Sequence, residues 1–339
     1  MFVLGLQGSP RKKGNSDYLL TEFLKICEEK GARTRVIHMD NLDIQPCKEL
    51  LVCEKKGFCP LKDEMDPHIY GLIHRADVVV LASPVFFYNV SAQAKILIDR
   101  CQMFWGRKYK LKLADPDAGS RQGVLLSAAA SGGRRLFEGV ELTAHYFFDA
   151  ISAEFTESLT YKKVESAGAV AKVSGVDTDI REAAGRVMAA VQNKPVLVFV
   201  SQKDACRSQM AAAYAKKAAQ GDIRVLSAGI DPAQAIQPLA RDYMAAQGID
   251  IKYRLPRSLD TLMVEEFSRV PPVCVVCLES EVTPIPGVKT LFWDLAEAAD
   301  PESIALVGKD IHARVGALVS SIKQDRLQTD DRGKRSRND

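Results

Sequence analysis

The chain has 339 residues, room for two domains of ordinary size. Its 47% hydrophobic and 26% charged content is that of a globular protein in water. With 46 basic against 43 acidic residues and a net charge of +3, it has no charge excess that calls for nucleic acid or an anionic membrane as a partner. No apolar run approaches membrane-spanning length, and the run at 2–6 is too short for a secretory signal, so a cytoplasmic location is expected. Eight cysteines in that setting are expected to be thiols, metal or cluster ligands, or redox groups rather than disulfides.

In chain order, FVLGL at 2–6 predicts a strand. A helix is predicted over 17–30, with Leu19, Leu20, Phe23, Leu24 and Cys27 near helical spacing and Gly31 as its stop. Between them lies GSPRKKGNS, at 8–16. Strand, small polar loop, then helix is the layout that presents a helix N-terminus to a phosphate. Gly8 allows a sharp turn, Arg11 offers a charge-assisted fork, and Ser9, Asn15 and Ser16 offer hydroxyl and amide donors. The loop has neither G-x-G-x-x-G nor G-K-[ST], so it reads as a mononucleotide phosphate pocket; on these nine residues alone an ordinary βα turn with a surface arginine fits as well.

Further strands are predicted over 34–39, 77–82, 123–127 and 155–164, and helices over 63–75, 91–103, 136–151 and 178–191. DVVVLA at 77–82 is apolar almost throughout, as in a parallel strand covered on both faces. Strands alternating with helices predict an α/β fold with an open, doubly wound parallel sheet, whose ligands sit beyond the carboxyl ends of the strands. Three unusual loops reach that edge: 8–16, SPVFFYN at 83–89, and AAASGG at 128–133. SPVFFYN brings a proline and aromatic groups to where a flat ring can lie, although core packing also explains Phe87 taken alone.

With GSPRKKGNS, SPVFFYNVSAQAKILIDR and Ser131-Gly132-Gly133 in that order, roughly residues 1–190 resemble the NADPH-dependent FMN reductase family, including its iron–sulfur flavoprotein branch, within the flavodoxin-like fold. The resemblance implies FMN as cofactor and NADPH or NADH as co-substrate. It implies that Ser9, Arg11, Asn15 and Ser16 hold the FMN phosphate and that Pro84, Val85, Phe86 and Phe87 line the isoalloxazine. The loop that includes Ser127, Ser131 and Gly132 would approach the ring's other side. The flavin performs the chemistry in such proteins, so no catalytic side chain is named. A homo-oligomer is expected by the same resemblance.

The segment 47–59 carries Cys47, Cys53 and Cys59. The iron–sulfur branch has four closely spaced cysteines here, and thiolates are the ligands such clusters take. Aligned on Cys47 and Cys53, the second family ligand falls at Leu50, leaving three thiols of four. Loss of the cluster is the simpler reading, with the three cysteines as remnants or as thiols near the flavin.

Near 193–195 the pattern restarts with VLVFV at 196–200, which predicts domains over 1–192 and 195–326 and a disordered polar tail over 327–339. The next loop contains Ser201, Gln202, Lys203, Asp204, Ala205, Cys206, Arg207 and Ser208 and opens a helix. Such a loop curls its amides around an oxyanion while the arginine closes the cradle. Followed by Ser227-Ala228-Gly229, Pro238-Leu239-Ala240, Met244, Gly248-Ile249-Asp250 and Arg257-Ser258-Leu259, it resembles the low-molecular-weight protein tyrosine phosphatases and the arsenate reductases of the same fold. That resemblance implies a second doubly wound parallel sheet and a Cys-x5-Arg-Ser loop with cysteine as nucleophile. Here position 201 is serine, and a hydroxyl without a general base stays protonated near neutral pH. The general acid is displaced as well: Asp300-Pro301 lies too far from Trp293, and strict spacing lands on Glu297. Of the further cysteines an arsenate reductase needs, Cys277 stands near one place and Pro284 fills the other; Cys274 and Cys277 read as buried filler of a strand.

The leading expectation is an FMN-dependent NAD(P)H oxidoreductase passing electrons to a small molecule or a redox protein, fused to an inactive phosphatase-like domain that keeps an oxyanion cradle. The alternative is a redox-linked sensor or binding protein for phosphate, arsenate or a phosphorylated partner. A surviving phosphatase or arsenate reductase ranks third because of Ser201.

Overall fold

Phe2–Gln7 (β1) is buried along its whole length and pairs in parallel with a strand on each side, as its unbroken apolar sequence requires. In the computed structural model, which describes residues 1–267, 271–279 and 286–335, the chain divides into two units, Met1–Asn193 and Lys194–Asp339. No described helix is long and apolar enough to cross a membrane.

In unit 1, β1 is followed by α1 (Asn15–Glu29), β2 (Arg33–His38), α2 (Val52–Lys56), α3 (Tyr70–Arg75), β3 (Val78–Pro84), α4 (Ala92–Arg100) and α5 (Gln102–Trp105). β4 (Arg121–Ala129), α6 (Glu138–Ala150), β5 (Ala153–Lys162) and α7 (Val176–Gln192) complete it. The sheet order is β2-β1-β3-β4-β5 with every pairing parallel, which is the flavodoxin-like order. The direction of winding reverses between β1 and β3, so a crevice opens beyond their carboxyl ends. α1 and α7 cover one face: Leu19, Leu20, Phe23, Ile180 and Val187 share a core with Val78, Val80, Val124 and Leu126. The helix expected over 63–75 begins as α-helix only at Tyr70. Asp66 sits at φ −116° and ψ 125°, the extended conformation favoured by a residue that precedes a proline.

Unit 2 contains β6 (Val196–Ser201), α8 (Arg207–Ala219), β7 (Arg224–Gly229), α9 (Pro238–Ala246), α10 (Leu259–Leu262), β8 (Cys274–Cys277), β9 (Thr290–Phe292) and α11 (Pro301–Arg335). Its sheet order is β7-β6-β8-β9, again parallel throughout. Leu197, Phe199 and Val276 face Met210 of α8 and Ile304, Val307 and Ile311 of α11, while Val198, Val200 and Val275 face Leu262 of α10. Cys274 and Cys277 are buried in β8, and burial pushes the Cys277 thiol up to about 11. Pro284 lies outside the described residues.

The tail departs from the sequence reading. α11 continues to Arg335, past Leu327 where disorder was expected to begin. Once a helix is nucleated, each added residue needs only one more backbone hydrogen bond, so the helix runs on through Thr329, Asp330, Asp331 and Gly333 despite their low propensity.

Candidate functional site

The crevice of unit 1 is assembled by backbone hydrogen bonds that tie its loops together. Gly8 N–H donates to Ala82 O at 2.7 Å, Val85 N–H to Ala128 O at 3.2 Å, and Lys163 N–H to Ser131 O at 3.1 Å. A Cβ at Gly8 would lie 2.9 Å from Ala94 Cβ and 3.1 Å from Ala82 O, so glycine is what lets the first loop pass between β3 and α4. Below the surface, Ser127 Oγ donates to Ser83 O at 2.8 Å, and Ser91 Oγ donates to Gly8 O and caps α4. Ser127 therefore locks β3 to β4 underneath the crevice.

In the first loop, Ser9 N–H donates to Gln7 Oε1 and the Ser9 hydroxyl accepts from Arg11 N–H. α1 begins after Gly14 with no side-chain cap, so its first-turn amides are left to attract an anion. Arg11 is exposed, with Nη1 donating to Glu165 O at 3.3 Å. Ser16 is buried in the first turn of the helix. Asn15 has another task than the expected one. Its Nδ2 donates both hydrogens, to Val164 O at 3.0 Å and Ser166 O at 3.1 Å, and its Oδ1 accepts from Val170 N–H at 3.1 Å. With its side-chain donors committed, Asn15 fixes the loop against residues 164–170 and leaves the outward-facing charge to Arg11.

The second loop is a tight hairpin. Phe86 and Asn89 exchange hydrogen bonds of 2.8 and 3.0 Å, and the two residues between them, Phe87 and Tyr88, have φ of 49° and 60°. That is the left-handed pair of a type I′ turn, usually filled by Asn-Gly. Bulky residues there carry a strain of about 1–2 kcal/mol each, and such outliers cluster at functional sites. Phe87 is fully exposed at 104% relative accessibility, which removes core packing as its explanation. Phe86 and Tyr88 are about half exposed, and Pro84 and Val85 are partly buried at the turn's base. The Tyr88 hydroxyl reaches over the third loop, 3.0 Å from where a Gly133 Cβ would stand, while Ser131 and Gly132 are exposed there. Tyr88 and Gly139, which packs under the turn, were not singled out from the sequence. The residue after a recognised aromatic pair was the available signal for the first; nothing local marks the second.

Cys47, Cys53 and Cys59 line a cleft of about 690 Å³ together with Leu50, Trp105 and Tyr146. The segment is anchored through Arg100, whose guanidinium is buried and grips Asp63 at 2.6 and 3.1 Å and Gln45 O at 2.8 Å. Burial pushes the Cys53 thiol up, and Cys59 and Cys47 add to the shift. Leu50 is 53% exposed in the cleft. Among the described residues no three His, Cys, Asp or Glu side chains are grouped so as to hold a metal ion. A four-thiolate cubane takes one thiolate more than the three cysteines of this segment. Anaerobic reconstitution followed by iron and sulfide analysis is expected to leave well under a full cluster after desalting; about four irons per chain would overturn this.

Unit 2 presents its loop at the carboxyl end of β6. The carbonyls of Ser201, Gln202, Lys203 and Ala205 accept from the amides of Ile230, Asp231, Ala233 and Gln237 at 2.9–3.2 Å. Of the loop's amides, that of Asp204 donates to Ser201 Oγ at 3.1 Å and that of Gln202 to Glu279 Oε2 at 3.0 Å. Asp204, at φ 48°, is fully buried and accepts from Ser208 Oγ at 2.8 Å, Gln209 Nε2 at 3.0 Å and Arg257 N–H at 2.9 Å. Burial pushes its carboxyl up against those hydrogen bonds. Because Ser208 gives its one hydrogen to Asp204, the 2.8 Å contact between Ser201 Oγ and Ser208 Oγ has Ser201 as donor. Ser201 thus has a hydroxyl path to a carboxylate that the sequence did not disclose. Cys206 is partly buried, and burial pushes its thiol up to about 11 despite Arg207 beside it. Asp300 is exposed and accepts from the Glu302 and Ser303 amides, capping the start of α11; Glu297 is exposed. Arg207 does not stand open over the nest: its Nη2 donates to Glu279 Oε1 at 2.5 Å.

Fold and site together define a flavodoxin-like crevice rimmed by three loops and an aromatic turn, followed by a second, phosphatase-like parallel-sheet unit. Residues 1–150 match the NADPH-dependent FMN reductase family and residues 196–279 the low molecular weight phosphotyrosine protein phosphatase family, and the chain belongs to both, one through each unit. An iron–sulfur flavoprotein of Methanocaldococcus jannaschii is 40% identical over 100 residues, 30% of this chain and 51% of the relative. A second from that organism is 32% identical over 150 residues, 44% of this chain and 71% of the relative. Arsenate reductase 1 of Bacillus cereus is 31% identical over 112 residues, 33% of this chain and 83% of the relative. The chain spans about half the length of three iron–sulfur flavoproteins that it matches.

Proposed function

We propose that unit 1 is an FMN-dependent oxidoreductase that draws on NADPH or NADH and serves a small-molecule or redox-protein acceptor, and that unit 2 binds an oxyanion without turning it over. The observation that carries the first part is the joining of three loops at the β1/β3 reversal, with exposed Arg11 and an uncapped α1 on one side and the strained Phe87–Tyr88 turn on the other. FMN, when bound, would supply the hydride and electron chemistry. Ser9, Arg11 and the first amides of α1 would hold its phosphate, Asn15 and Ser127 would keep the loops in place, and Phe86, Phe87, Ser131 and Gly132 would border its ring. For unit 2, the reading rests on serine instead of cysteine in the nucleophile's place and on Asp300 being engaged as a helix cap rather than standing free as an acid.

The absorbance spectrum of the purified protein should show flavin bands that bleach anaerobically with NADPH or NADH; their absence after incubation with FMN would end this reading. Arg11→Ala should weaken FMN binding about tenfold, roughly the worth of one exposed charge-assisted contact. Fluorescence titration of the apoprotein measures it, and unchanged affinity would remove Arg11 from the site.

A further inference from the structure

The nest of unit 2 is already filled from within. Gln202 N–H donates to Glu279 Oε2 at 3.0 Å, and Arg207 Nη2 donates to Glu279 Oε1 at 2.5 Å. These two donors, one amide from the mouth of the loop and the guanidinium that closes it, are among those an external oxyanion would use. Each takes a different oxygen of the same carboxylate, so Glu279 spans the nest. Its position is fixed by the sheet: Leu278 N–H donates to Val200 O at 2.9 Å, which holds the residues after β8 against the end of β6, where the loop begins.

We propose that Glu279 is an internal ligand of the nest and the residue that sets what it accepts. With the carboxylate in place, the charge of Arg207 is matched, and an arriving dianion meets a like charge at contact distance instead of a free guanidinium. Phosphate or arsenate enters only when the Glu279 side chain withdraws. Both groups of the pair remain partly exposed, with side-chain accessibilities of 21% for Arg207 and 23% for Glu279, so the carboxylate has a path out to solvent. The inference rests on the oxyanion-binding reading of unit 2 and adds the competitor built into it.

The test is titration calorimetry of the full chain with inorganic phosphate, and separately with arsenate, for wild type, Glu279→Ala, Glu279→Gln and the double variant Glu279→Ala, Arg207→Ala. Glu279→Ala is expected to bind at least tenfold more tightly than wild type. Glu279→Gln should fall between, because its amide keeps one acceptor but loses the charge. The double variant should lose the gain. Circular dichroism and thermal melting establish that each variant is folded, and Glu279→Gln, which preserves the side chain's volume, carries the comparison if the alanine variant does not fold. Equal binding by wild type and the Glu279 variants would overturn the internal-ligand proposal and leave the oxyanion nest standing. No binding by any folded variant would overturn both.

Discussion

Replacing Arg100 with methionine is expected to destabilise unit 1 by about 3–5 kcal/mol, the cost of stranding a buried charge once its partner is removed. Arg100 is 2% exposed at the end of α4, and the carboxylate it grips also accepts the amides of Gln45 at 3.0 Å and Met65 at 3.1 Å. One ion pair therefore anchors both ends of the cysteine-bearing segment. Burial pushes Asp63 up, but the hydrogen bonds from Arg100, Gln45 and Met65 outweigh it and hold the carboxyl below its ordinary range. A depressed carboxyl contributes its full stability above the unfolded value of about 3.9 and loses it as pH falls through the folded one. Urea unfolding at neutral and acidic pH should show a large gap between wild type and Arg100→Met that narrows on acidification. A neutral-pH difference below about 1 kcal/mol would show that the pair is not what holds the segment.

Gly139→Ala is expected to weaken FMN binding by tens of times or more while leaving unit 1 folded. The added methyl would lie 2.2 Å from Tyr88 O, a contact no side chain tolerates, so either the start of α6 or the Phe87–Tyr88 turn must move. Overpacking of this kind costs about 1–3 kcal/mol. The turn is the element already strained, held by two hydrogen bonds between Phe86 and Asn89 and by the Thr143 hydroxyl on Asn89 Oδ1 at 2.9 Å. It is expected to yield first. Flavin titration beside a thermal melt separates the outcomes: lost affinity with an unchanged melt supports the turn as part of the flavin site, and unchanged affinity counts against it.

Both sheets were legible in the sequence because parallel strands are covered on both faces and so read as unbroken apolar runs, as in VVVLA and VLVFV. The loops after β1 and β6 were legible as helix-opening turns because small and polar residues at set spacings follow an apolar strand there. What the sequence hid lies at long range. The partners of Asn15 begin 149 residues further on, and a donor amide looks the same whether it is aimed at a ligand or at a carbonyl. Glu279 stands 72 residues from the arginine it engages, in a strand exit with nothing local to mark it. Ser201 looked like a hydroxyl without a base because its route to Asp204 runs through Ser208, a residue the loop pattern assigns to the helix start. The reach of α11 past Leu327 was hidden for the opposite reason, since helix continuation there needs no apolar pattern at all.

The held carbonyls of Ser201, Gln202, Lys203 and Ala205 separate the mould from the reagent. The loop's shape is imprinted by a second segment, 230–237, which grips oxygens that every residue possesses, and the Ser201 hydroxyl adds one side-chain tie by accepting from the Asp204 amide at 3.1 Å. Serine and cysteine at that position differ by a single atom, while the backbone contacts with 230–237 are common to both. On the oxyanion-binding reading proposed above, that frame would serve as a shape apart from any reactivity at position 201.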